Sequence, residues 1–378
     1  MGEQRRDNHD RVNTKRPRKR LRLIAVIIII VFFGILLMLI IQSKTANKQL
    51  AAIEAAYKIP DSENAATFYN KLLKEYDKST FKPAFLTPEL DDLTRKQPWS
   101  GKDYPELAKW LKEQQDFIEK LFRISNFEKC FFPIFVSLPE GLRKRNERLM
   151  AMRQWALFLA RSANNDIAEG RIDPGLRKNL CLIHMGRHIR QQPVAVDFLV
   201  GISIETLGLQ RIRFLIMTDD LTQEHLQVIE TALIQTNKDM KQVWKNLLKV
   251  ENLYDRKMPK TGSLLKQLKD WWQNRNNKEA TFNRIHEIKL RFLADQRGME
   301  ILIALRRFKK QTGRWPESLE QITDLVSQDI LVDPQNNGPF VYKLTETGFT
   351  LYSIGPNNID EAGRYRKGSD DRPIWPLP

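Results

Sequence analysis

His184 and His188 are four residues apart in NLCLIHMGRHIRQ, so on a helix their imidazoles share a face and could hold one metal ion. Met185 stands where a metalloprotease H-E-x-x-H helix carries its glutamate, and Arg187 and Arg190 crowd the same turns with positive charge. A capped or solvated helix face accounts for the pair with fewer assumptions. Asp197 and Glu205 are two helical turns apart with Gly201 between them, and carboxylates sharing a face can do acid–base work. Ion pairs to Arg187, Arg190 or Arg211 are the simpler reading of that spacing. Together the four residues define one functional class, an outer-face metal-dependent hydrolase, which needs a pocket that the sequence does not reveal.

Other chemistries have less to stand on. Ser203 and Ser353 have no base at a recognisable spacing, and there is no G-x-S-x-G. Gly201, Gly208 and Gly262 fall in neither a P-loop nor a dinucleotide-binding pattern. The two cysteines, Cys130 and Cys181, lack metal-type spacing and sit in apolar surroundings (EKCFFPIF and KNLCLIHM). Buried free thiols are the simpler reading there, with a disulfide as the alternative in an oxidising compartment.

These residues lie on helices. Apolar residues recur at helical spacing over 46–57, 64–76, 104–124, 140–167 and 175–191, then from Pro193 to Met217 and over 222–253, 264–273 and 279–311. Prolines at 83, 88 and 98 with Gly101 mark 78–103 as an irregular connection. Short connections between the long helices predict a stack of antiparallel helical hairpins. The stretch from 193 to 217 is apolar on most faces, yet Asp197, Glu205, Arg211 and Arg213 make it costly to insert in lipid, so it reads as a buried helix. After Gly313 the texture changes. Asp333-Pro-Gln-Asn-Asn-Gly338 is dense in turn formers, and Phe340, Tyr342 and Leu344 alternate with Phe349 and Leu351 across 345–348, which predicts a β-hairpin.

Residues 23–41 carry no charge over nineteen positions, which at about 1.5 Å per residue approaches the ~30 Å hydrocarbon core of a bilayer. The reading is a single transmembrane helix in contact with the lipid bilayer. Nine basic residues against three acidic ones precede it, and only Lys44 and Lys48 follow closely, so the N-terminus is expected inside and the remainder extracytoplasmic. No small-x-small cleavage site follows, which favours an uncleaved signal-anchor in a bacterial inner membrane. The basic tail is explained by orientation and by anionic lipid, and no nucleic acid is expected. The chain as a whole has 62 basic and 46 acidic residues, spread along charged helices rather than gathered in one groove.

The C-terminal segments ALRRFKKQTGRWPESLEQI, LVDPQNNGPFVYKL, FTLYSIGPNN and the late Ser369-Asp370-Asp371 occur in an order that resembles the globular end of the type II secretion major pseudopilin. The likeness runs from about Leu290 to the end, within what reads as a membrane-anchored envelope protein. It implies a long helix packed on a small α+β cap, and a calcium site at Ser353, Asn357, Asp370 and Asp371. The chain departs from that family at its start, where a basic tail replaces the prepilin-peptidase site and the span contains no glutamate. The expected organisation is a basic tail (1–22), a transmembrane helix (23–41), an extracytoplasmic helical domain (42–278), and a long helix with a pseudopilin-like cap (279–378). The expected fold class is mainly α, and the expected role is a scaffold or interaction protein associated with secretion or pilus-like machinery.

Overall fold

The computed structural model describes residues 33–34, 37–38, 41–42, 44–133, 140–218, 220–237, 240–257, 264–364 and 369–376. Helices dominate: α1 (44–56), α2 (Ala65–Lys74), α3 (Lys78–Phe81), α4 (Pro88–Lys96), α5 (Pro105–Glu113), α6 (Gln115–Ser125), α7 (Glu140–Ala168), α8 (Ile172–Arg190), α9 (Ala195–Met217), α10 (Gln223–Asn237), α11 (Met240–Lys257) and α12 (Leu264–Thr312). Three strands follow, β1 (Val341–Thr345), β2 (Gly348–Ser353) and β3 (Arg372–Trp375), in one antiparallel sheet of order β1-β2-β3.

Local chemistry sets several boundaries. The Asn64 side chain accepts from Ala66 N to cap α2, while its amide also bonds Phe131 O at 3.0 Å, so one residue starts a helix and fastens a distant strand of chain to it. Thr87 caps α4, with Pro88 at the first helical position where a missing N–H costs nothing. Gly170 and Gly313 end α7 and α12 at φ +72° and +79°, a conformation that favours glycine.

Two apolar cores flank the α8–α9 hairpin. One gathers Tyr69, Trp110, Leu121, Trp155 and Phe158 from α2 and α5–α7, and α8 adds Leu182, Met185 and Ile189. The other joins Phe198, Ile212 and Ile216 of α9 to Leu226, Leu247, Phe292 and Leu302 of α10–α12. Burial on both sides explains why α9 is apolar almost all round. The sheet has no core of its own: Phe349, Leu351 and Ile374 belong to the second cluster, and Ile374 lies so close over Gly298 of α12 that a Cβ there would meet its Cγ2 at 2.6 Å.

Several differences from the sequence reading have physical causes. The helix expected over 104–124 is two, because the backbone turns at Gln114 (φ −96°, ψ 12°), a junction with no glycine or proline to mark it. The irregular 78–103 contains α3 and α4. α12 runs unbroken for 49 residues through the break expected at 274–278. β3, an addition to the expected hairpin, comes from a four-residue segment too short for periodicity to show.

The mainly helical class stands, but the transmembrane, single-pass and signal-anchor parts of the reading are corrected. Among the described residues no helix is long and apolar enough to cross a membrane. α9, the most apolar long helix, carries Asp197, Glu205, Arg211 and Arg213, all buried against protein. Of 23–41 itself, only 33–34, 37–38 and 41 are described, and the rest lies outside the described residues.

Candidate metal centre

Between β2 and β3, three carboxylates of the described residues converge. Glu361, Asp370 and Asp371 each place an oxygen within 4.8 Å of the others. The loop achieves this through left-handed turns at Gly355, Asn358, Ala362 and Gly363. At Gly355 the approach is tight enough that a Cβ would lie 2.6 Å from Asp370 Cγ. Backbone donors then aim the carboxylates: Asn357 N donates to Asp370 Oδ2 at 3.1 Å and Gly363 N to Asp371 Oδ2 at 2.7 Å. Glu361 is held by Asn357 Nδ2 at 3.2 Å and Ser369 Oγ at 3.4 Å.

The remaining oxygens, Asp370 Oδ1 and Asp371 Oδ1, are buried without a hydrogen-bond partner. Orphaned buried acceptors are costly in a folded protein, and a group that satisfies both would remove that cost. Burial pushes the Asp371 carboxyl up to about 6; the Gly363 N–H opposes the rise, and neighbouring Glu361 and Asp360 add to it. Three hard oxygen donors crowded this closely fit a divalent cation of the calcium or magnesium type.

Of the four residues implied by the pseudopilin resemblance, Asp370 and Asp371 are in this cluster. Ser353 is fully buried beneath it, where its Oγ accepts from Gln335 Nε2 at 2.6 Å and Gly355 N at 3.0 Å. Asn357 orders the rim, its Oδ1 accepting from Ile359 N at 2.6 Å. The carboxylate that the sequence reading missed is Glu361; the acidic pair Asp360-Glu361, within ten residues of Asp370-Asp371, was the available signal. Arg372, one residue on, reaches Asp295 of α12, and residues 365–368 lie outside the described residues.

The candidate residues of the helical region are spent differently. His188 is 1 % exposed; its Nε2 donates to Phe127 O at 2.6 Å, so its Nδ1 accepts from Tyr69 Oη at 3.1 Å. Both ring nitrogens are occupied, and His184, bonded to the Ser125 backbone, has no second ligand across the turn. Asp197 meets Arg148 at 2.5 Å and Arg145 at 3.4 Å, both from α7, and Glu205 meets Arg190 of α8 at 2.6 Å. The four do not converge on one cavity. A groove of about 480 Å³ between α9 and α12 exposes Ser203 among Leu199, Ile202, Thr206, Leu207, Gln210 and Ile288, with no titratable group in its lining. Cys130 and Cys181 are free and buried, and burial pushes both thiols up.

Burial lowers His188 to about 3, which makes folding sensitive to acid. Above pH 6.5 the imidazole is neutral in both states. As pH falls from there toward 3, the unfolded chain binds a proton that the folded chain refuses, and stability is lost progressively. At about 1.4 kcal/mol per pH unit the total approaches 5 kcal/mol. His188→Gln keeps a donor for Phe127 O and is expected to flatten this part of the stability profile in urea unfolding between pH 7 and pH 4. A variant as acid-sensitive as the parent would remove His188 from the account.

No protein-family model matches the chain, and no curated protein or solved structure is significantly similar to it.

Proposed function

We propose that the protein is a non-enzymatic scaffold or interaction protein whose C-terminal cap takes a divalent cation, calcium by its donor chemistry, and which associates with machinery of the secretion or pilus type. The observation that carries the cation is the pair of buried, unpartnered oxygens on Asp370 and Asp371 beside Glu361. The machinery rests on the ordered C-terminal segments that resemble the major pseudopilin. The scaffold reading is supported by the way His188, Asp197 and Glu205 are tied into buried contacts between helices.

A cation that binds only the folded chain stabilises it by mass action, about 2.7 kcal/mol at a hundred times its dissociation constant. Millimolar calcium is therefore expected to raise the melting temperature of the full chain by several degrees. Glu361→Gln and Asp371→Asn are expected to abolish the rise while the calcium-free forms still fold. Equal melting curves with calcium and with chelator would sink the cation. Crosslinking in cells followed by affinity recovery tests the partner class: recovery of secretion or pilus-type components supports it, and recovery of the chain alone refutes it.

A further inference from the structure

We propose that β1 is the edge on which two copies of the chain join, antiparallel and about a two-fold axis at Lys343, so that three strands from each copy form one continuous sheet. Such pairing needs neither the cation nor the secretion-type partner proposed above. It gives the protein an interaction surface of its own and a defined occupant for it, a second copy of this chain.

The sheet has two edges, and they differ. β3 is four residues long, contains Pro373, is followed by Pro376 and is pressed onto Gly298 of α12 through Ile374, all of which discourage a further strand. β1 has none of these guards. Its two-residue connection to β2 makes Thr345 and Gly348 a mutually hydrogen-bonded pair, and the alternation of an antiparallel ladder then turns the N–H and C=O of Lys343 and Val341 toward β2. Those of Tyr342 and Leu344 point outward, and among the described residues no hydrogen bond from another segment reaches them. Leu344 itself is 45 % exposed beside them.

This edge matches itself. With Lys343 of each copy on the two-fold axis, Tyr342 lies opposite Leu344 of the second copy and Leu344 opposite its Tyr342, so all the outward groups are satisfied in two reciprocal pairs. The exposed Leu344 is then covered by an aromatic ring that is already held in place: Tyr342 donates through its hydroxyl to Pro316 O at 2.7 Å and lies 5.3 Å from the Phe349 ring. Aromatic–aliphatic pairs across strands are favourable. Centring the axis on Leu344 would instead set Tyr342 against Glu346, which lies in the turn beyond β1. Two lysines meeting at the axis repel, but each Lys343 carries its own countercharge, Asp360 Oδ2 at 3.1 Å. Because β3 is blunted, the pairing closes at two copies and does not run on into a fibre.

A non-hydrogen-bonded pair on such an axis brings its two Cα atoms to about 4.5 Å, within disulfide range. Lys343→Cys in the full chain, under mild oxidation, is therefore expected to give a covalent dimer. Thr345→Cys, whose two copies would lie roughly 13 Å apart, is expected to give little. The native thiols of Cys130 and Cys181 are buried and do not compete. Leu344→Pro removes only an outward N–H, so the hairpin is expected to survive. Dimerisation, read by sedimentation equilibrium, is expected to weaken by roughly thirtyfold, the worth of two hydrogen bonds of ordinary strength. A chain that stays monomeric at every concentration, that crosslinks equally at both positions, or that dimerises unchanged in Leu344→Pro overturns the pairing. Should Leu344→Pro fail to fold, the two cysteine variants still decide.

Discussion

Gly201→Ala is expected to destabilise the protein by ~3 kcal/mol or more, the upper end of what overpacking usually costs. Gly186, Gly201 and Gly208 let α8 and α9 touch backbone to backbone. The backbone contacts pair 186 with 201 and 205, 190 with 201, and 179 with 208, the pattern of an antiparallel hairpin. A Cβ on Gly201 would lie 2.5 Å from Arg190 N and 2.6 Å from Gly186 O. Neither atom belongs to a flexible side chain, so the helices must separate, and both cores share this hairpin. Ser203→Ala, exposed on the same helix, is expected to stay within about 0.5 kcal/mol and serves as the control. Urea unfolding of both measures the difference; a Gly201→Ala cost under 1 kcal/mol would mean the hairpin is looser than its geometry.

The second large effect lies one turn along the same seam. Arg190 and Glu205 are both fully buried and meet at 2.6 Å, with the Arg190 guanidinium 5.8 Å from the Phe292 ring centre. Removing one member of such a pair typically costs 3–5 kcal/mol, because a charge is left in a site that water does not reach, whereas replacing both by apolar groups is often near neutral. Arg190→Met is expected to fall in that range, and Arg190→Met with Glu205→Leu to recover most of the loss. A double-mutant cycle in urea gives the coupling. If the double variant is as unstable as the sum of the two single ones, the pair contributes through packing and not through charge.

Both effects depend on Gly186, Gly201, Glu205 and Arg190, residues visible in the sequence whose partnership was only partly legible there. The spacing of Asp197 and Glu205 on one helix suggested ion pairs to Arg187, Arg190 or Arg211. Glu205 does meet Arg190, because a short connection makes α8 the obligatory neighbour of α9. Asp197 instead meets Arg145 and Arg148, about fifty residues upstream on α7. Nothing local specifies which face α7 turns toward α9; that is settled by how the two cores close around the hairpin.

By itself the sequence determined what local rules determine. Helical periodicity placed α7 to within a residue of its Glu140–Ala168 extent, and strict alternation located β1 and β2. The hydropathy of 23–41 suggested a membrane helix, but hydropathy alone does not define a span, and no described helix provides one. Asp370 and Asp371 were singled out through the resemblance alone. Glu361 was not, because its approach depends on left-handed turns at Ala362 and Gly363 that carry no periodic signal. Only the tertiary structure decided which charges meet. Ion pairs and ligand clusters are contacts between segments far apart in the chain, and their geometry follows from packing that no local pattern encodes.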